Sequence, residues 1–334
     1  MSIATTTLTD WKLRAGQSQG LLIAVAVFVA MFTLYITNHP AGLTVPVVTT
    51  AANKAVLLAL VAMAQTLPVL TGGLDLSVGM IFVMTNCLAS AIVGGEPWQV
   101  ALGIVGVLLA GALAGFVNGA IVVYGRLQPI ITTLATGAIY YGFALLIRPV
   151  PGGNVDGDLA DFMTYTVFGE TVPTSLLALL AAVLIIWLPF RHSVIGRGCY
   201  AIGSAEGAAY MSGVAIGRSK LAAYTLSGLL AGLAGLMLTF VTYSGEASAP
   251  IGGTYTLNSI AAVVIGGTSL YGGAGGAIGS IFGAFILRTI DDLLFVFDLP
   301  PLWQPLFQGV VLLGAVSLGA ARVFRVKNRL ELFN

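Results

Sequence analysis

The sequence predicts an all-α polytopic transmembrane helical bundle of about ten spans, and three observations carry that prediction. Charge is scarce: 334 residues hold 14 Lys/Arg and 13 Asp/Glu, 8% of the chain, against 57% hydrophobic residues. The few charges gather in short gaps between long apolar runs. A charged side chain at the centre of a lipid-embedded helix costs about 2.5–3.5 kcal/mol on insertion scales, so membrane spans impose this sorting. The third observation is 43 glycines. Helices in lipid gain little by burying apolar surface against one another, and small residues stabilise them by allowing close approach.

The first apolar run, Gly20–Ile36, follows Lys12 and Arg14 without a cleavage pattern and reads as a retained span. About 20 apolar residues cross the hydrocarbon layer. Further spans are predicted at 55–71, 78–94, 100–124, 130–147, 175–190, 221–243, 257–271, 276–295 and 302–321. Residues 1–334 form one transmembrane domain, with an outer, periplasmic loop at 148–174 and a cytoplasmic connection at 191–220.

Orientation follows from the excess of Lys and Arg in cytoplasmic loops. With the N-terminus inside, Lys12, Arg14, Arg126, Arg191, Arg197, Arg218, Lys220, Arg322, Arg325, Lys327 and Arg329 all fall in the cytoplasm. Lys54, Arg148 and Arg288 (the last near a helix end) fall outside, as do most acids, among them Asp156, Asp158, Asp161, Glu170, Asp291 and Asp292. Both termini are therefore expected in the cytoplasm.

Gly111, Gly115 and Gly119 recur at four-residue spacing on the fourth span, as Gly275, Gly279 and Gly283 do on the ninth. Such rows predict tight helix packing. A double glycine with small polar residues precedes the third span at Gly72–Gly73 and the eighth at Gly252–Gly253. An offset of five spans places the two on opposite sides of the membrane, which predicts inverted repeats of spans two to five and seven to ten.

Chemistry-bearing segments are few. Leu70 to Gly79 reads LTGGLDLSVG: the glycines break a helix, and Asp75 and Ser77 can cap the next one. Broken helices in transporters often line the pathway, so Asp75 and Ser77 are pathway or gating candidates, with Asn86, Asn118, Thr256 and Asn258 as further uncharged groups in or beside spans. In the cytoplasmic connection, Ser204 to Ser212 reads as a short helix with a Ser cap and Glu206 in its first turn. It offers a docking surface for a cytoplasmic partner. The acidic outer loop offers a contact for an external one.

No catalytic constellation, Walker lysine or metal-ligand spacing is present in the sequence. Cys87 and Cys199 read as buried free thiols, and His39 and His192 stand alone in loops. The chain reads as a transport subunit that binds no cofactor and is not an enzyme. Intramembrane charge for ion coupling is nearly absent, which points to energy from a nucleotide-hydrolysing partner. The alternative is an ion-coupled secondary transporter of a small polar solute, with Asp75 as its one candidate carrier.

Three stretches resemble the permease subunits of ATP-binding-cassette importers for simple sugars, the ribose, xylose and galactofuranose type. They are Gly72 to Gly79, then Tyr200 to Gly203 with Ala208, Ala209 and Ser212 to Val214, and Ile260 to Gly273. The resemblance spans about Val56 to Leu318. It implies a monosaccharide permease of the bacterial inner membrane, paired with itself or a paralogue. It also implies two cytoplasmic ATPases and a periplasmic sugar-binding protein. Gly203, Ser204, Glu206, Ala208, Ala209, Ser212 and Gly213 would then seat in the ATPase. The chain departs from the family pattern at Ser204–Ala205, where an Asn is common, at Thr256 and Asn258, where acids are, and at Asp291 or Asp292, where an Asn is usual.

Overall fold

The computed structural model describes residues 3–168, 171–310 and 313–314. In chain order the helices are α1 (Ile3–Asn38), α2 (Val45–Leu70), α3 (Val78–Ile92), α4 (Pro97–Tyr124), α5 (Pro129–Ile147) and α6 (Gly157–Thr164). A two-stranded hairpin, β1 (Thr166–Val167) with β2 (Val172–Pro173), leads into α7 (Thr174–Ala182). A π-helical turn at Val183–Trp187 joins α7 to α8 (Leu188–His192), and the three together make one span-length rod. Then come α9 (Val194–Ser204), α10 (Glu206–Met211), α11 (Ile216–Thr242), α12 (Ala249–Ile265) and α13 (Ala277–Val296). A 3₁₀ turn at Pro301–Trp303 opens a helical segment at 304–310.

Nine predicted spans overlap these helices, and among the described residues six helices are long and apolar enough to cross a membrane. The tenth, 302–321, lies partly outside the described residues, as do Glu170 and the basic group Arg322, Arg325, Lys327 and Arg329. One prediction is displaced. The eighth span was expected at 257–271, but α12 runs from Ala249 to Ile265. Ser248 starts it by accepting the Ile251 N–H, and Pro250 sits in the first turn, where its missing N–H is harmless. Gly252 and Gly253 are therefore inside the helix. Residues 266–276 form a folded loop, with positive φ at Gly267, Gly272, Gly273 and Gly275. Gly275 thus precedes α13 and does not continue its glycine row.

Helix α2 is the axis of the bundle. Val56 to Ala64 are buried on every side, as expected for a span wholly wrapped by others. α4 and α5 show the opposite pattern, with Leu102, Leu109, Leu113, Leu134, Ile139 and Leu146 exposed, the surface a lipid-facing helix presents.

The helices pair in a recurring pattern. α4 lies on α11 as α13 lies on α2; α3 lies on α11 as α12 lies on α2; α2 meets α11, and α3 meets α12. Glycine makes the closest approaches. A Cβ at Gly115 would stand 2.1 Å from the Tyr224 carbonyl oxygen, and one at Gly228 would stand 2.2 Å from that of Gly111. The row on α13 faces a different element: Gly279 and Gly283 abut Gly266 and Ala262. The two rows match in sequence but meet non-equivalent neighbours.

The two ends of the bundle differ. At one, the α4–α5 turn, α10 and the start of α11 enclose a cleft lined by Arg126, Gln128, Pro129, Glu206, Ile216 and Lys220. Lys220 pairs with Glu206 at 2.7 Å. At the other end, the 148–174 segment is stitched to its surroundings. Gly152 and Gly245 form an antiparallel bridge, Tyr243 donates to Asp161, and Asn53 donates to the Thr164 carbonyl at 2.7 Å. Arg148 donates to the Ser90 carbonyl at 2.6 Å and to its hydroxyl at 3.0 Å. Arg148→Ala removes two charge-assisted bonds and should cost about 1–3 kcal/mol, even though the Ser90 carbonyl keeps the Asn154 N–H at 3.1 Å. Limited proteolysis is expected to cut the 148–174 segment faster in that variant; an unchanged cleavage rate would show that the segment is held without Arg148.

Candidate functional site

The break between α2 and α3 is built by its sequence. Pro68 sits in the last turn of α2, and its carbonyl accepts the N–H groups of Thr71 and Gly73. Gly72 takes φ +78°, a left-handed conformation that glycine reaches without strain. The chain reverses there and delivers Asp75 to a site with no solvent exposure.

A directed chain of hydrogen bonds ends on Asp75. Its Oδ1 accepts from the Ser77 N–H at 2.9 Å and the Ser77 hydroxyl at 2.6 Å. Asn118 on α4 donates to the Ser77 hydroxyl at 2.7 Å. Tyr140 on α5 points its hydroxyl at Asn118 Oδ1, 3.0 Å away, and at the Ala114 carbonyl, 2.8 Å away. Donors aligned in one direction polarise and strengthen one another in a water-poor interior. Thr133 accepts the Leu76 N–H at 2.9 Å, and Gly137 leaves room for Ser77 against α5. With its amide oriented to satisfy both groups, Gln65 donates to the Asp75 carbonyl at 2.8 Å and accepts its N–H at 3.3 Å.

Ser77 was expected to cap α3, with Asp75. Ser77 does occupy the N-cap position, but its backbone is αR and its side chain caps nothing. The pair instead forms a lock that ties the break to α4 and α5.

The other candidates fall in two places. Thr256 accepts the Gly79 N–H at 3.1 Å and donates to the Gly252 carbonyl at 2.9 Å, pinning α12 to the start of α3. Asn86 donates to Thr239 at 2.9 Å and to the Ser244 carbonyl, and accepts the Glu246 N–H, all at the far end of α3. Asn258 donates to Gln308 at 3.2 Å, and Gln308 donates to Asp291 at 2.8 Å. Asp291 also pairs with Arg288 at 3.1 Å, and Arg288 lies over the Tyr255 ring, 5.0 Å from its centre. Lys54 reaches Asp292 at 3.2 Å.

This charge cluster revises a sequence expectation. Arg288 was placed near a helix end, yet it stands in the body of α13 with its partner one turn on. The Arg288–Asp291 pair, like Lys54–Asp292, is not legible in the sequence, because each charge is assigned singly to the outer side.

In the 191–220 segment, the short helix α10 starts at Glu206 with Ala205 as its cap. Ser204 ends α9 instead, and its hydroxyl bonds back to the Tyr200 carbonyl at 2.9 Å. Ala208, Ser212 and Gly213 are exposed, whereas Ala209 is buried. Tyr210 and Met211 project outward at 73% and 89% exposure, too far for side chains that serve only this chain's interior.

Both cysteines are free and buried, and burial pushes the Cys199 thiol up to about 12, which keeps it unreactive. Among the described residues no group of His, Cys, Asp and Glu is placed to hold a metal ion.

The chain matches, over residues 47–316, the family model described as branched-chain amino acid transport system / permease component. It belongs to that permease family. The permease is 36% identical to the ribose import permease RbsC of Haemophilus influenzae over 263 residues, 77% of this chain and 80% of that one. It is 34% identical to the RbsC of Escherichia coli over 303 residues, 89% and 92% of the two chains. With the D-allose transport system permease AlsC of Escherichia coli it shares 33% identity over 264 residues, 78% of each. No solved structure matches the permease. It is a multi-pass protein of the bacterial inner membrane and a transport subunit, not a catalytic enzyme.

Proposed function

We propose that the permease forms half of the pathway of an ATP-binding-cassette importer for a monosaccharide or related small carbohydrate. One observation carries the reading: relatives that match most of the chain are import permeases for ribose and allose. The family description speaks of amino acids, but those relatives take sugars. Partner ATPases supply the energy, a periplasmic binding protein delivers the sugar, and a second permease subunit, identical or paralogous, completes the path. The chain itself binds no cofactor.

The recurring pattern of helix pairing supports inverted repeats of spans two to five and seven to ten, within ten spans and with both termini in the cytoplasm. Charge supports the orientation. Arg126, Arg191, Arg197, Arg218 and Lys220 belong to the end that bears α10, whereas Glu96, Asp156, Asp158, Asp161 and Glu246 belong to the other. The exposed edge of α10 with Ser204, Glu206, Ala208, Ser212 and Gly213 docks the ATPase, and Gly203 and the buried Ala209 hold the segment in place from beneath. Asp75, Ser77, Asn86, Asn118, Thr256 and Asn258 line or gate the path. The alternative is an ion-coupled carrier working through Asp75, since Asp291 and Asp292 are each already paired with a cation.

Ala208→Glu or Ser212→Glu puts charge on the docking surface without touching the packed interior. Each variant should fold, yet lose the ATPase on co-purification in mild detergent. Retained ATPase together with wild-type ATP-driven uptake would overturn the docking assignment.

A further inference from the structure

We infer that a three-loop glycine junction transmits movement of the ATPase-docking segment directly to the Asp75 lock, with Gly203 as its decisive positioning residue. The inference rests on the docking reading above, and adds the route by which docking reaches the membrane interior. Three backbones converge where α9 ends. A Cβ at Gly203 would stand 2.1 Å from the Leu70 carbonyl oxygen and 2.3 Å from the Gly273 nitrogen. One at Gly272 would stand 2.7 Å from the Gly203 Cα and 2.8 Å from the Gly72 nitrogen. One at Gly273 would stand 2.4 Å from the Ser204 hydroxyl. The Gly273 N–H donates to the Leu70 carbonyl at 3.1 Å, closing the junction with a hydrogen bond.

The chemistry of the junction suits transmission. Where Gly203 meets Leu70, Gly272 and Gly273 the contacts are backbone on backbone, so no rotamer change can absorb a displacement there. Well-packed elements move as discrete units and do not deform continuously. Gly72, Gly272 and Gly273 all have positive φ, which a side chain at those positions would resist. Three residues beyond Gly72 lies Asp75, which holds Ser77 and through it Asn118 and Tyr140. A shift of α9 and α10 must therefore carry the α2–α3 break with it, and so load or release the chain of hydrogen bonds that fastens α4 and α5. Ordinary helix packing would not require all three loops to be backbone-to-backbone. Nor would it place their meeting point between the docking segment and the buried carboxylate.

The test uses the assembled importer. Leu76 is part-buried beside Asp75, and Leu76→Cys offers a maleimide reporter, since the native Cys87 and Cys199 are buried. ATP is expected to change the labelling rate of Leu76→Cys in the complex by roughly tenfold, within the usual range of coupling between sites. Adding Gly203→Ala, the smallest side chain that fills the junction, should abolish most of that change, read in complexes that run as a monodisperse peak with the ATPase bound. Gly272→Ala, which fills the same junction from the opposite loop, should do the same. Gly142→Val, at a position where a side chain meets nothing, should leave the response intact. An ATP response that survives Gly203→Ala or Gly272→Ala in such complexes, or the lack of one in the complex with both glycines native, overturns the inference. Loss of the ATPase from the permease before any junction substitution instead sinks the docking reading, and the inference with it.

Discussion

Gly115→Leu is expected to prevent accumulation of folded permease, while Gly142→Leu on the neighbouring helix is tolerated. The cause is steric and local. The first side-chain carbon at Gly115 would sit 2.1 Å from the Tyr224 oxygen and 2.9 Å from the Gly228 nitrogen, both backbone atoms that cannot swing away. Gly228 faces the same problem from the other side, against Gly111. Separating α4 from α11 to make room would pull apart glycine faces whose close approach supplies most of the attraction between helices in lipid. Overpacking by one methylene already costs about 1–3 kcal/mol, and leucine adds several carbons. At Gly142 the same side chain enters open space. Fluorescence-detected gel filtration of detergent extracts reads the outcome directly. A monodisperse peak of wild-type height for Gly115→Leu would mean that α4 and α11 are held apart in the membrane.

The sequence shows Gly115 to be special, but not which helix it meets. Spacing of four puts Gly111, Gly115 and Gly119 on one face; only the folded chain brings Gly228 and Gly232 against it. The same limit explains the other differences. Apolar runs locate helices well, because every span must be long and uncharged. They fail at 257–271, because the loop at 266–276 is as apolar and glycine-rich as a helix end, while the true start lies in a polar stretch marked only by Ser248 and Pro250. The Leu70–Gly79 break is legible from its glycines, and Asp75 from its isolation. Its partners are not. Asn118 and Tyr140 are 22 residues apart, and Asn118 lies 41 residues from Ser77, so their bonds depend on how α3, α4 and α5 pack. Arg288 was misplaced for a related reason. Counted singly as an outer charge, a cation three residues before an acid does not show the neutralised turn of helix that the pair makes in the fold.

Asp75→Ala is expected to reduce sugar uptake by roughly tenfold or more, and Asp75→Asn to leave most of it. Alanine removes the acceptor of both the Ser77 N–H and the Ser77 hydroxyl, orphaning a buried backbone donor at a cost of about 1–3 kcal/mol. The start of α3 would then lose its tie to Asn118 and Tyr140, and the break would no longer report the position of α9. Asparagine keeps an oxygen at the same place and can accept both bonds. Asn118→Ala should fall between the two, because Tyr140 retains the Ala114 carbonyl as an acceptor. The pair of variants also separates mechanisms. A carrier that moves protons on Asp75 needs the ionisable group, and asparagine would stop it as completely as alanine. A lock needs only the acceptor. Uptake in intact cells, normalised to folded permease, decides between them. Equal loss in both variants would return Asp75 to the role of ion carrier, and wild-type uptake with alanine would remove it from the transport cycle altogether.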